Sequence, residues 1–266
     1  MALKYINKLE GKLVIIIGGT SGIGFAVAEA CVEHGARVVV ASRKQQNVDS
    51  TVAALKKAYP DAKGDIRGHT CDTAADDAES EMTRLFGYAT DGGTVKVDHV
   101  VDTAGETGSP IHGLQSVTSE DLAKVQKSRV IGPILLAKVV QKYIKPESSS
   151  SFTMTSGVLT FRPFKAMSMQ IAAGGGREVM TRALAVEMAP IRVNVVSPGA
   201  IQTPLLDLAA EAMGGKENMR QYFASTTLVN AVGTVEDCAE AYLCAIKNNF
   251  MTGTVLHAEG GTLLKT

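Results

Sequence analysis

Residues Ile15-Ile16-Ile17-Gly18-Gly19-Thr20-Ser21-Gly22-Ile23-Gly24 place a glycine-rich turn directly between a β-branched run and a helix-length stretch that reaches His34. A strand that turns through glycines straight into a helix gathers backbone amides and the helix start at one point, and that point attracts a phosphate. The glycines let the backbone approach a pyrophosphate more closely than a side chain would allow. A glycine cluster alone also marks an ordinary tight turn, so the strand before it and the helix after it carry the assignment. Gly18, Thr20, Ser21, Gly22, Ile23 and Gly24 are the expected contacts to a dinucleotide.

Short β-branched runs at 13–17, 38–41, 67–71, 99–102, 152–155, 192–196 and 254–257 alternate with helix-length amphipathic stretches. Alternation of this kind predicts a parallel sheet covered by helices on both faces. Runs such as Val-Ile-Ile-Ile and Val-Val-Val are apolar throughout, as strands buried on both faces must be. The predicted class is α/β: a doubly wound parallel sheet of about seven strands, of the Rossmann type. Residues 1–266 read as a single domain, and 203–223 as an irregular excursion where a substrate lid would sit, a passive surface excursion being the alternative.

Lys plus Arg and Asp plus Glu stand at 27 each, and no basic block follows the spacing of a phosphate backbone, so nucleic acid is not an expected partner. The first residues lack an apolar signal core and no apolar run is long enough to cross a bilayer, which predicts a soluble, cytoplasmic protein. Cys31, Cys71, Cys238 and Cys244 are scattered, as are the five histidines, and neither set has metal-ligand spacing. Buried free thiols and no metal are expected.

Ile17-Gly18-Gly19-Thr20-Ser21-Gly22-Ile23-Gly24 resembles the Thr-Gly-x-x-x-Gly-x-Gly fingerprint of the short-chain dehydrogenase/reductase family, with Ile17 in place of the leading threonine. Cys71-Asp72-Thr73 is similar to the family's adenine-side motif, and Asp102-Thr103-Ala104-Gly105 stands where the family has Asn-Asn-Ala-Gly. Arg192 to Thr203, reading Arg-Val-Asn-Val-Val-Ser-Pro-Gly-Ala-Ile-Gln-Thr, resembles its nicotinamide-side motif, and Gly253 with Gly260-Gly261 its C-terminal signature. The likeness covers nearly the whole chain. It implies cofactor contacts from Asp72, Thr103, Ala104, Gly105, Pro198 and Gly199, with Ile201 and Thr203 holding the nicotinamide carboxamide. Helices 132–143 and 174–187 resemble the pair through which family members form dimers and tetramers, so a homo-oligomer is implied.

The second strand runs into Ser42-Arg43-Lys44, where an NAD site would need a carboxylate for the ribose hydroxyls. A guanidinium forks onto a phosphate, so these residues favour NADP(H) over NAD(H).

The family's acid chemistry uses an Asn, a Ser, and a Tyr followed four residues later by Lys. Registered without a gap, the chain has Gln170 at the Tyr position and Gly174 at the Lys position, and no Tyr-x-x-x-Lys follows downstream. Gln170 can orient a substrate but has no proton to tune near neutral pH. The run Gly174-Gly175-Gly176 reads as the start of a helix in close packing, or as a ligand contact. Ser156 occupies or adjoins the family's serine place, where its hydroxyl can bind a substrate carbonyl or amide. Arg129 falls at the Asn position, where an inward guanidinium either meets the substrate or makes an ion pair with Asp102. Phe152, Met154, Phe161, Phe164, Met167 and Met169 gather around one strand and loop. Some belong to the core, and Phe161, Phe164 and Met167 are the expected lining of a large apolar substrate pocket. Lys165 reads as a solvated lysine.

An intact cofactor site without its proton donor fits an NADPH-dependent reductase acting on a pre-activated electrophile, such as an imine, an iminium ion or a conjugated carbonyl. The chain is similar to divergent fungal members of the family that lack the Tyr-Lys pair and act as reductases. In certain indole-alkaloid pathways these also guide a Diels–Alder cycloaddition using an aspartate in a loop, which here reads Phe161-Arg162-Pro163-Phe164-Lys165 and holds no carboxylate. The alternative is a non-redox member of the fold, a cyclase, an isomerase or an inactive NADP(H)-binding scaffold. The loops 107–117 and 203–223 carry no motif that names a substrate.

Overall fold

The computed structural model describes residues 4–105, 114–208, 210 and 213–266. Residues 107–113 of the stretch 107–117, and 209, 211 and 212 of the expected lid, lie outside the described residues. Seven strands form one sheet in the order β3-β2-β1-β4-β5-β6-β7. They are β1 (Leu13–Ile17), β2 (Arg37–Ser42), β3 (Ile66–Thr70), β4 (His99–Asp102), β5 (Ser151–Thr155), β6 (Arg192–Pro198) and β7 (Val255–Ala258). All neighbours pair in parallel, so the architecture is the expected doubly wound sheet.

Helices α1 (Gly22–Glu33), α2 (Gln45–Ala58), α3 (Ala78–Ala89), α4 (Ser119–Gln126), α5 (Gly132–Tyr143) and α6 (Ser168–Glu187) alternate with the strands. Helices α7 (Pro204–Asp207), α8 (Lys216–Ser225) and α9 (Val235–Lys247) follow β6. A π-helical segment, Lys127–Ile131, joins α4 to α5. All five residues of β1 are at most 1% exposed, because helices cover both faces of the sheet's centre. Burying each such side chain contributes about 1.5–3 kcal/mol relative to leaving it in water.

One apolar layer joins β1, β4, β5 and β6 to α3 and α5 through Leu85, Phe86, Leu136 and Val140. The other packs α1 against α9, with Val27 and Cys31 beside Cys238 and Tyr242. The ends of α4 and α9 are fixed locally. Thr118 with Asp121, and Thr234 with Asp237, make reciprocal capping boxes that satisfy the first free amides of each helix.

Strand order reverses between β1 and β4, so a crevice opens at their C-terminal ends. Register places Ile17 beside Ala41 on one side and Asp102 on the other, and Asp102 beside Met154. The glycine turn, Ser42, Asp102 and Ser156 therefore gather at one edge of the sheet.

The four cysteines are free; Cys31, Cys71 and Cys238 are buried, while Cys244 is exposed. Burial pushes each of the three enclosed thiols up to about 12. Among the described residues no group of acidic, histidine and cysteine side chains is arranged to hold a metal. No helix among them is long and apolar enough to cross a membrane.

Candidate active site

The turn after β1 is built from glycines because its neighbours leave no room for anything else. Gly18 has φ +81°, and a Cβ there would lie 2.7 Å from the Ala104 nitrogen. A Cβ on Gly24 would lie 2.3 Å from the Gly18 carbonyl oxygen and 2.4 Å from Thr103 Oγ1. Thr103 is locked against the turn by its own hydrogen bond, Oγ1 donating to the Ile17 carbonyl at 3.0 Å. The backbone N–H of Ala104 donates to Asp102 Oδ1 at 3.0 Å, and Gly105 continues exposed into the crevice.

Helix α1 begins at Gly22 with Ser21 as its N-cap, and no side chain caps its first amides. Those amides, Ile23 among them, face the turn formed by Gly18, Thr20 and Ser21, which is the electrostatic setting a pyrophosphate needs. On the far side, a Cβ at Gly22 would lie 3.1 Å from Thr203 Cγ2, so the loop after β6 closes back onto the same turn.

Beyond Pro198 and Gly199 the loop makes a bridge from Ile201 to Gly233. The Ile201 side chain is 7% exposed and sits in the core, so only its backbone can meet a ligand. Thr203 Oγ1 accepts from the Leu206 amide at 3.2 Å and caps α7. Asp72 Oδ1 accepts from the Ala74 amide at 2.9 Å, which fixes the turn after β3.

Ser42 lies at the end of β2, beside the glycine turn. Its Oγ is buried with no hydrogen-bond partner, and a buried unpaired hydroxyl costs roughly 1–3 kcal/mol. Arg43 and Lys44 follow it and are exposed. The residues present thus fit a dinucleotide.

Of the two readings open for Arg129, the ion pair with Asp102 is not the one the structure shows. Asp102 is bound by Arg177 of α6, Nη1 to Oδ2 at 3.3 Å, and not by Arg129. Arg177 is 1% exposed. Its guanidinium also donates to the carbonyls of Thr155 at 3.0 Å, Ser128 at 3.3 Å and Ala104 at 3.4 Å, and its Nε to that of Arg129 at 3.4 Å. One side chain thereby ties the ends of β4 and β5 to the π segment. Burial raises the Asp102 carboxyl above its ordinary range, and Arg177 only partly opposes that shift.

Arg129 projects from the π segment toward the crevice, and a Cβ at Gly105 would lie 3.7 Å from its Nη2. It exerts a weaker attraction on Asp102 than Arg177 does. π-helical turns inside longer helices recur at functional sites.

Helix α6 starts at Ser168, so Gln170 lies in its first turn and Gly174-Gly175-Gly176 lie in its interior instead of opening it. Only Gly175 is in close packing: a Cβ there would lie 2.9 Å from Thr160 Cγ2, while Gly174 and Gly176 have open space among the described residues. The helix contains neither tyrosine nor lysine. Tyr242 stands nearby but is fully enclosed; its hydroxyl is shared with Thr155 Oγ1 at 2.7 Å, and burial drives the phenol far above its usual range.

Ser156 follows β5 and donates from Oγ to Glu178 Oε1 at 2.8 Å. Glu178 is 5% exposed. Sequence reading missed both Arg177 and Glu178. The available signal was an adjacent pair of opposite charges on the helix carrying Gln170, with Arg177 two turns beyond it on the same face.

The apolar candidates divide between core and surface. Phe152 and Met154 are fully buried, and Met169 packs with Val125 and Ala173. That last group borders a cavity of about 130 Å³ between α4, the π segment and α6. Met167 is half-buried, while Phe161 and Phe164 stay exposed. Phe161 meets His257 edge-on at 5.4 Å, and Phe164 faces Tyr222 and Phe223 of α8 at 6.5 and 6.3 Å. Lys165 is exposed.

A switch-point crevice with a glycine turn, an uncapped helix start and an unpartnered hydroxyl defines a dinucleotide-binding protein of the doubly wound class. Residues 5–265 match the SDR-like Rossmann domain, and the chain belongs to the short-chain dehydrogenase/reductase family. It is 40% identical over 266 residues to the short-chain dehydrogenase/reductase ucsE of an Acremonium species, covering 99% of this chain and all of that one. The solved structure of MalC Reductase/Diels-Alderase from Malbranchea aurantiaca superposes with a TM-score of 0.90 at 38% identity, over 97% of this chain and 98% of the other. A short chain dehydrogenase from Burkholderia cenocepacia, solved in complex with NADP, shares the fold with a TM-score of 0.80 at 22% identity, over 96% of this chain and 99% of that one.

Proposed function

We propose that the protein is a cytoplasmic NADPH-dependent reductase that delivers hydride to a pre-activated electrophile, an imine, iminium ion or conjugated carbonyl, on an apolar secondary-metabolite substrate. The observation that carries this reading is the pairing of a fitted cofactor crevice with a helix, α6, that offers no tyrosine or lysine beside it. When bound, the nicotinamide supplies the hydride. Gly18 to Gly24 and the start of α1 bind the pyrophosphate, Asp72 the adenine side, and Thr103 to Gly105 with Pro198, Gly199, Ile201 and Thr203 the nicotinamide side. Ser42, Arg43 and Lys44 take the ribose phosphate, and the exposed guanidinium of Arg43 selects it over a hydroxyl.

Arg129, Ser156 and Gln170 orient the reacting group. Where the acceptor is a conjugated carbonyl, Arg129 stabilises the negative charge that develops on its oxygen without giving up a proton, and Gln170 orients the reacting group through its amide. Phe161, Phe164 and Met167 receive the apolar body of the substrate, with 203–223 as the lid. The exposed Ile134 of α5 and the exposed Val179 and Val186 of α6 support assembly into a homo-oligomer through those helices.

A second reading, cycloaddition by the same pocket, is favoured by the 38% identity to MalC Reductase/Diels-Alderase over nearly the full length of both chains. The loop Phe161-Arg162-Pro163-Phe164-Lys165 supplies no carboxylate for it.

The test is single-turnover oxidation of NADPH and NADH against cyclic imines, iminium salts and enones. Turnover with at least one of these, with NADPH preferred, is expected. Arg43→Ala should cut NADPH affinity about tenfold or more and leave NADH nearly unchanged, because one charge-assisted phosphate contact is lost. Binding of NADPH with no consumption by any acceptor would leave a non-redox role.

A further inference from the structure

The contact between Ser156 and Glu178 decides what the site can recognise. Ser156 Oγ donates to Glu178 Oε1 at 2.8 Å, and Glu178 is 5% exposed. A carboxylate has no hydrogen to give, so the single hydrogen of the hydroxyl is committed to Glu178. Ser156 then presents lone pairs to the crevice. To donate to a substrate carbonyl it would have to abandon Glu178 and strip a buried carboxylate of this hydrogen bond, which is strongly unfavourable.

Among the described residues no guanidinium makes an ion pair with Glu178: Arg129 faces Gly105, and the neighbour in sequence is engaged elsewhere. Arg177 directs its guanidinium to Asp102 and to the carbonyls of Thr155, Ser128 and Ala104.

We propose that Glu178 is a positioning residue that fixes Ser156 as a hydrogen-bond acceptor backed by negative charge, so that the pocket selects a protonated C=N group whose N–H donates to Ser156 Oγ. The binding claim stands on this contact, and the fate of the bound group rests on the reductase reading above. In that reaction the imine carbon accepts a hydride, two electrons and a proton, from NADPH. The C=N π pair moves to nitrogen, the nitrogen keeps its proton, and a neutral secondary amine leaves with NADP⁺ as the other product. No further acid is required.

Three bicyclic compounds separate charge from hydrogen bonding: protonated dihydroisoquinoline, its N-methyl iminium salt, and neutral tetralone. Calorimetry on protein loaded with NADP⁺ gives their affinities, and single-turnover NADPH oxidation gives their rates. The expected wild-type order of affinity is the N–H cation, then the N-methyl cation, then tetralone. Ser156→Ala should weaken the N–H cation by about tenfold and spare the other two. Glu178→Gln should weaken both cations by a similar factor and spare tetralone, with thermal midpoints close to wild type.

Equal losses for all three compounds, no loss in either variant, or no measurable binding of either cation would overturn the proposal. If Glu178→Gln fails to fold, the Ser156→Ala arm alone decides through the N–H against N-methyl ratio. The expected affinity pattern without NADPH consumption would retain the recognition and reject the reductase. Consumption without the pattern would do the reverse.

Discussion

Arg177 carries an unusual burden for one side chain, holding a buried carboxylate and four backbone carbonyls while almost wholly removed from water. Removing one member of a buried ion pair leaves the other charge uncompensated, at about 3–5 kcal/mol. Arg177→Met is therefore expected to destabilise the fold by that amount in chemical denaturation. Adding Asp102→Asn should recover part of the loss, since the stranded charge is then gone. A single-variant loss below about 1 kcal/mol would mean that water reaches the pair. Sequence reading offered Arg129 as one possible partner of Asp102, beside a substrate contact, and did not consider Arg177. Asp102 and Arg177 meet only because β4 and α6 are brought together by the sheet, and no local spacing encodes that. The glycine turn between β1 and α1 was legible because strand, turn and helix are contiguous in the chain.

The glycine run in α6 shows how local propensity misleads at the level of an element. Each glycine disfavours helix by about 1 kcal/mol relative to alanine, so the run reads as a helix start. The structure instead carries the helix through it from Ser168 to Glu187, anchored by buried Met169, Ala173, Thr181 and Leu184. Tertiary burial outweighs the propensity cost. Gly174→Ala and Gly176→Ala should each stabilise the protein by about 0.5–1 kcal/mol, because space is open at both positions. Gly175→Ala should lose that gain or destabilise, since its Cβ would press on Thr160 at 2.9 Å. Thermal and urea unfolding of the three single variants check the contrast, and equal shifts would contradict it. The seven strands were readable within about one or two residues of their observed ends. The continuous apolar runs of β1 and the centre of β2 mark strands buried on both faces. The distribution of Phe161, Phe164 and Met169 between surface and core was not readable, because it depends on where α4 and α8 pack.

Across the whole molecule, the sheet's reversal between β1 and β4 brings the glycine turn, Ser42, Arg129 and Ser156 to one crevice. The sequence alternation was enough to predict that crevice, since parallel strands with helical crossovers admit few arrangements. It could not predict the polarity of the crevice, which depends on the orientation of Glu178 and Arg177. The central claim is hydride transfer without a protein proton donor. Isotope effects measured in one single-turnover experiment test it directly, using NADPH deuterated at the transferred position and, separately, D₂O with an iminium acceptor. A clear cofactor isotope effect with a solvent effect near unity is the predicted result. A substantial solvent isotope effect on the hydride-transfer step would contradict the account, because a proton would then be moving with the hydride.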